Sequence, residues 1–312
     1  MTHIKDKKKH GLRKIIMIVV LIFVIAALWY LFIKPFAYQA KMIVNSSPGF
    51  VYQAVIDWNK DLQSSRDLTV TYTNRNPFDE IAYFTGFSGI PLSFQWNIEE
   101  INDSTSLIDI GIDHQENSVG ERIQKLLGKS KTEEVIHKEL NQFYKGIGKY
   151  LNESIVTIDG KAIFPKAHVA YVSIESLQDE KADQMISNSG YIKSFLSLND
   201  IKLVSHPFLH VKQWDYKTGK IGYDFCFPVA QMDSFPNHKE IKYKVVESME
   251  GLKGSFFGNY SLSDRTWFEL HAFADRNQIE VVPELIEVYH NNPHEGGNSI
   301  DWKAEIFMKV DK

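Results

Sequence analysis

Glu287 and Tyr289 stand two residues apart in the run Leu285-Ile286-Glu287-Val288-Tyr289. Side chains alternate along a strand, so Leu285, Glu287 and Tyr289 share one face and Ile286 and Val288 share the other. The Ile286/Val288 face suits packing under helices, which predicts that the Glu287 face opens on a concave side. A carboxylate beside a phenol in a ring-lined pocket attracts an organic cation, by charge and by the ring faces. If desolvated, the same carboxyl has its pKa raised and can serve as a proton donor or base. The plainer alternative is a glutamate at a sheet edge, paired with a surface lysine. Other constellations are weaker. His206 and His210 are four apart, but Pro207 lies between them and no third metal ligand is evident. Gly86-Phe87-Ser88-Gly89 reads as a turn, not as a nucleophile elbow or phosphate cradle. No pattern calls for a metal or any other cofactor.

The elements around Glu287 repeat. Asn199-Asp200-Ile201 and Asn277-Gln278-Ile279 each follow a helical stretch, 185–198 and 264–275. Each leads into an alternating strand, 208–214 and 285–289, and then a closing strand, 222–229 and 302–310. Two similar halves of about 75 residues are expected. Each reads as strand, helix, strand, strand, and together they would form one antiparallel sheet with two helices on one face. Allowing one extra residue in the first strand, His210 is the expected counterpart of Glu287. Trp214 and Tyr223 lie near it in sequence and would line the other half of the groove. The alternative for all three is a satisfied, half-buried residue. Trp267 and Phe268 read as core.

Residues 258–293, GNYSLSDRTWFELHAFADRNQIEVVPELIEVYHNNP, and 301–310, DWKAEIFMKV, resemble the GyrI-like family, also called the bacterial transcription activator effector-binding domain. The likeness rests on Glu287-Val288-Tyr289 with Pro293 four beyond, followed by Trp302 and Glu305. It covers residues 154–312, with Lys309 where the family usually ends in proline. The resemblance implies that Glu287 binds cationic ligands in drug-sensing members. In members that hydrolyse strained-ring compounds it implies a catalytic pair of Glu287 with Tyr260 or Tyr289.

Upstream, residues 40–45 read as a strand, Ser47-Pro48 as a helix start, and Val51, Val55, Ile56 and Trp58 as the helix's apolar side. Strands follow at 68–73, 81–85, 92–101 and 107–112, with turns at 74–79 and 102–104. Leu92, Phe94, Trp96 and Ile98 share one strand face. Ile136, Leu140, Phe143, Ile147 and Tyr150 mark one buried face of a long closing helix. Residues 118–131 read as a short helix and loop. SSPGFVYQAVIDWNKD (46–61) resembles the opening of the SRPBCC superfamily, the START and polyketide-cyclase-like helix-grip fold, over residues 36–152. Gln63-Ser64-Ser65 departs from the family's tryptophan-serine-proline. The resemblance implies an apolar cavity, unless Phe84, Phe94 and Trp96 fill it.

Residues 15–33 form an apolar run with no charge and no proline, just long enough to span a hydrocarbon core. Lys5, Lys7, Lys8, Lys9, Arg13 and Lys14 precede it against Asp6 alone, and only Lys34 and Lys41 follow closely. The positive-inside rule predicts a cytoplasmic N-terminus and the bulk of the chain on the outer side. An uncleaved signal anchor is expected over a cleaved signal peptide, because no good small-x-small site follows. The predicted division is a basic head (1–14), a transmembrane helix (15–33), an SRPBCC-like domain (36–152) and a GyrI-like domain (154–312). The fold class is α+β: the N-terminal transmembrane helix, a helix-grip antiparallel sheet, then a duplicated βαββ antiparallel sheet. With 312 residues and a net charge of −4, there is no basic stripe for nucleic acid. Cys226, the sole cysteine, excludes an internal disulfide and a cysteine-built zinc site, and reads as a core residue. The expected function is capture of amphipathic or cationic small molecules at the membrane by a pocket around Glu287. The alternatives are a hydrolase with Glu287 as acid/base, and a structural protein that binds a partner.

Overall fold

The computed structural model describes residues 2–76, 78–102, 105–215, 217–293 and 296–311. Pro77, Asp103 and Ser104 of the two expected turns lie outside the described residues. So do the side chains of residues 2–12, which include Lys5, Lys7, Lys8 and Lys9 of the basic head, and that of Tyr150.

Helix α1 (Thr2–Leu28) runs into a π-helical turn, Trp29–Ile33. Its Arg13–Ile33 portion, with a mean hydropathy of 3.1 and no burial, is long and apolar enough to cross a membrane. A signal sequence has the same character.

Next come β1 (Tyr38–Val44), α2 (Pro48–Arg66), β2 (Thr71–Asn76), β3 (Glu80–Phe87), β4 (Ile90–Asn102), β5 (Thr105–His114), α3 (Ser118–Leu126) and α4 (Lys131–Asn152). Ser47 caps α2 by accepting from the Phe50 amide at 3.3 Å, and Pro48 takes the first helical position, where its missing N–H costs nothing. Ser88 and Gly89, at φ 53° and 78°, form the tight turn joining β3 to β4. The five strands make one antiparallel sheet in the order β1-β5-β4-β3-β2. Leu92, Phe94, Trp96 and Ile98 of β4 are all buried on one face, against α2 and α4. There α4 buries Ile136, Leu140, Phe143 and Ile147, as its spacing requires. Trp58, Phe87, Phe94, Trp96 and Phe143 fill the space between, with ring centroids 4.8–6.5 Å apart. Phe84 does not join them. It alternates with Tyr83 onto the outer face and is 38% exposed.

The second sheet contains β6 (Ser154–Phe164), β7 (Ala167–Leu177), β8 (Phe208–Asp215), β9 (Lys220–Pro228), β10 (Lys242–Val246), β11 (Met249–Gly258), β12 (Val281–Tyr289) and β13 (Lys303–Val310), with helices α5 (Lys181–Leu198) and α6 (Arg265–Arg276). Its order, β10-β7-β9-β8-β12-β13-β11-β6, is a two-fold duplication about the β8/β12 pair. Each repeat is strand, helix, strand, strand, and the strand that precedes each repeat joins the edge of the other. Both helices end alike. Asn199 and Asn277 each donate a side-chain amide to the carbonyl four residues back, at 2.8 Å. Asp200 and Gln278 then take left-handed φ of 56° and 54°.

Only two residues link β6 to β7, although the two strands lie six places apart in the sheet. A flat sheet would separate them by about 29 Å, whereas the link reaches at most about 11 Å. The sheet therefore arches. Phe164 at the end of β6 meets Phe208 and Phe307 at 5.1 and 5.7 Å, beneath the arch. Helices α5 and α6 cover the convex face.

Helix α6 is also covered by α2. Gly49 lets the two close, since a Cβ there would come within 2.9 Å of the Phe268 Cβ. Phe78, at φ 73°, reaches across to Phe268 and His271. Glu269 Oε1 accepts from the hydroxyls of Ser47 (2.7 Å) and Ser46 (3.4 Å) at the start of α2. Burial raises the Glu269 pKa above the ordinary carboxylate value, against the lowering effect of the Ser47 bond and of Arg276. A raised carboxyl contributes stability that is present below its unfolded pKa and is lost as pH rises through its folded value. Glu269→Gln is therefore expected to raise the melting temperature at neutral pH. The gain should shrink as thermal scans are taken toward pH 4.5, the ordinary value. A difference independent of pH would show that ionisation of Glu269 is not the cause.

Candidate functional site

Strand β12 alternates as its sequence predicts, but its two faces are exchanged. Leu285, Glu287 and Tyr289 point to the convex face and pack under the helices, among Ile192, Leu196, Trp267 and Phe268. Ile286 and Val288 point beneath the arch with Phe164, Phe208, Cys226 and Phe307. The expectation that Glu287 opens on the concave side is corrected accordingly. Both faces of β12 are apolar enough to be buried, and alternation alone cannot say which one the helices cover.

Glu287 is fully buried. Its Oε2 accepts from Lys181 Nζ at 3.0 Å and from Trp267 Nε1 at 3.2 Å. Lys181 is buried too. Its ammonium also donates to Ser263 Oγ at 2.8 Å and lies 4.7 Å from the Trp267 ring centroid. The carboxylate, the indole face and the cation form the arrangement the sequence suggested, but the cation belongs to the chain. Lys181 is the first residue of α5, where the helix dipole disfavours a positive charge. Glu287 offsets that cost.

The Tyr289 hydroxyl is buried against Glu287 and Ser263. Burial first, and then the Glu287 charge, push the Tyr289 phenol well above its usual pKa. Tyr260 is held differently. Its hydroxyl donates to the Lys303 carbonyl (2.8 Å) and accepts from the Asn291 amide (3.0 Å), tying down the loop after β12. Burial raises its pKa to about 12. The Tyr260 and Tyr289 rings lie 4.8 Å apart, with Trp302 at 5.8 Å from Tyr260.

These rings wall a cleft of about 580 Å³. One side is α5, where Ala182, Met185, Ile186, Ser189 and Lys193 fall on one helical face. Phe225, residues 289–293 and 296–298, Asp301 and Trp302 complete it, with His206, His290, Asn291 and Asn292 supplying polar groups. Lys193 and Asp301 are the only lysine and carboxylate among its described lining residues. Glu287 is not part of the lining; the cleft meets the strand at Tyr289.

His210 is not the counterpart of Glu287. It pairs in register with Ile286 and lies on the arch side. There its Nε2 meets Glu284 Oε1 at 3.0 Å and its Nδ1 meets Lys244 Nζ at 3.4 Å. Burial lowers its pKa. The extra residue of β8 is a bulge between Val211 and Gln213, downstream of the position in question. The spacing that matches Asp200 with Gln278 matches Leu209 with Glu287, and these two are direct cross-strand partners. Trp214 is core: it stacks edge-on against Trp267 and Phe268 and donates to Gln178 Oε1 at 2.9 Å. Tyr223 is buried on the helix side, with its pKa raised to about 12 by burial. Trp267 and Phe268 are core as expected, although Trp267 also bonds Glu287. Reasoning from sequence missed Lys181, Met185, Ile186 and Trp302. A buried carboxylate needs a buried partner, which was the one signal for Lys181.

The duplicated βαββ sheet with a cleft of small-molecule size defines the class of this half of the chain. Residues 165–311 match the model of the GyrI-like small molecule binding domain, so the chain carries a domain of that family. Among solved structures, the EcmrR C-terminal domain aligns at 17% identity and a TM-score of 0.43, covering 51% of this chain and 98% of that one. A hydrolase from Listeria innocua aligns at 15% identity and a TM-score of 0.33, covering 54% and 98%. SAV2435 bound to tetraphenylphosphonium aligns at 13% identity and a TM-score of 0.34, covering 50% and 94%. No curated protein matches this chain.

Proposed function

We propose that this protein is a membrane-tethered receptor for a small amphipathic aromatic molecule, held in the cleft between α5 and the segment that follows β12. The cleft itself carries the reading. Its volume of about 580 Å³ falls in the range of small-molecule sites. Its rings (Phe225, Tyr260, Tyr289, Trp302) and flexible Met185 suit a flat apolar body, and the asparagines and histidines at its rim suit a polar end. One lysine against one carboxylate among the described lining residues favours a neutral or weakly charged ligand over a strong cation. Glu287 acts from below through Tyr289 and is paired with Lys181, so we assign it no direct ligand contact. Residues 13–33 are the tether, with the basic head in the cytoplasm and both sheets on the outer side. We read the five-stranded unit as SRPBCC-like in element order, with its would-be cavity filled by Trp58, Phe94, Trp96 and Phe143.

The test is calorimetric titration of the full chain in lipid nanodiscs with Nile red as the neutral probe and rhodamine 6G as the cationic one, each against empty discs. Saturable binding of Nile red is expected on the wild type. Met185→Arg, which puts a long charged side chain into the cleft, should weaken it by about tenfold or more, equivalent to ~1.4 kcal/mol. Equal affinity in variant and wild type would place the ligand elsewhere.

A further inference from the structure

The outer end of the apolar helix is bonded to α3. Arg122 Nη1 donates to the Tyr30 carbonyl at 2.6 Å, and the Arg122 side chain is buried. Its other nitrogen lies 3.7 Å from Asp113 Oδ1, which also accepts from the Ala37 amide (2.9 Å) and Ser118 (3.0 Å). One turn on, Lys125 Nζ donates to the Ala37 carbonyl at 3.0 Å and sits 4.5 Å from the Tyr38 ring centroid. The Tyr38 hydroxyl is fixed by Glu121 and Ser130 at 2.9 and 2.5 Å. The stem from Tyr30 to Tyr38 is thus clamped along α3 by buried and charge-assisted bonds, which are the strong kind.

This clamp sets the height of α3. Tyr30 is three residues from the end of the Arg13–Ile33 apolar stretch, which at about 1.5 Å per residue is ~5 Å from its end. At that level α3 and the residue after it expose Ile123, Leu126 and Leu127, at 45%, 67% and 64%. Their spacing of three and four puts them on one helical face. Phe32 and Ile33 of the stem turn, which packs against α3, are exposed too, both at 67%. Lys129 and Lys131 follow, both exposed. Apolar side chains on one face with lysines at the edge are the composition of a helix that lies in the boundary between headgroups and acyl chains. Lysine stems there can lie along apolar surface with the ammonium in the polar layer.

We propose that α3 is a second membrane contact, an interfacial helix whose Ile123, Leu126 and Leu127 enter the outer leaflet beside the stem. The occupant of this apolar patch is the lipid surface itself. The five-stranded unit is then held against the bilayer at two points in a fixed orientation and does not swing on a tether. The inference rests on reading residues 13–33 as a membrane span.

Cys226 is the sole cysteine and is buried, so single-cysteine labelling reports on introduced sites alone. Leu126→Cys, Leu127→Cys, Phe23→Cys and Leu198→Cys are each labelled with an environment-sensitive fluorophore in the full chain. Leu198 is 85% exposed on α5 and serves as the solvent control. The labelled proteins are reconstituted in nanodiscs of phosphatidylcholine and phosphatidylglycerol, with nitroxides attached either just below the headgroup or deep in the acyl chain. The label at 126 and at 127 is expected to lose most of its emission to the shallow nitroxide. The label at 23 should lose its emission to the deep one, and the label at 198 to neither. Deep quenching at 23 with no quenching at 126 and 127 overturns the inference and leaves the span intact. No quenching at 23 removes the span, and the inference with it.

Discussion

Lys181→Met is expected to destabilise the GyrI-like domain by about 3–5 kcal/mol, the cost of leaving one partner of a buried ion pair alone. The methionine keeps the length and packing of the lysine stem, so the loss reports the charge. Glu287 would then keep the Trp267 donor on Oε2 but no cationic partner. The double variant Lys181→Met/Glu287→Gln should recover most of the loss. An amide carries no net charge, and a buried pair replaced by neutral groups of similar volume is often close to neutral in stability. Urea unfolding of wild type, both single variants and the double variant closes the cycle. Strict additivity would show that Lys181 and Glu287 do not act as a pair. The outcome also bears on function. A carboxylate that already holds a tethered ammonium against an indole has little charge left to offer a ligand, and this is why the cleft, not Glu287, carries the binding proposal.

The fold was legible where the signals were local. Ser47-Pro48 marks a helix start, and Asn199-Asp200-Ile201 and Asn277-Gln278-Ile279 mark two identical helix ends. Those repeated caps were enough to expose the duplication, because a left-handed residue after an asparagine cap is a local conformational event. Buried faces were legible where spacing defines them, as with Leu92, Phe94, Trp96 and Ile98 on β4. The assignment of Glu287 to a concave, open face failed because β12 is central. Its two faces are buried under the helices and against Phe164, Phe208 and Phe307, and a strand buried on both faces carries no signal for inside and outside. The equation of His210 with Glu287 failed on the position of one bulge, since a shift of one residue reverses every side chain. Lys181 and Met185 lay beyond reach for a different reason. They matter through contacts with segments about a hundred residues away, and nothing in their own neighbourhood marks them.

Trp96→Ala is expected to cost about 3–5 kcal/mol, the range for removing a large buried aromatic, and to turn the five-stranded unit into what its element order suggests. Trp96 has no exposed surface. It packs against Phe143 at 4.8 Å, Trp58 at 6.2 Å and Phe94 at 6.5 Å, and its indole N–H donates to the Tyr83 hydroxyl at 3.2 Å. Alanine removes the indole from the centre of that ring cluster. Rings locked by three neighbours relax little, so a void remains among those rings, with the Tyr83 hydroxyl at its wall. An apolar void of this kind stays dry and takes up benzene. A ligand that binds only the folded state stabilises it, so benzene should raise the melting temperature of Trp96→Ala by more than that of the wild type. If benzene stabilises the wild type equally, the response comes from the cleft beside α5 and not from the Trp96 site. If neither responds, the sheet and α4 close over the missing indole, and the unit serves only as a packed mount between the N-terminal apolar helix and α6.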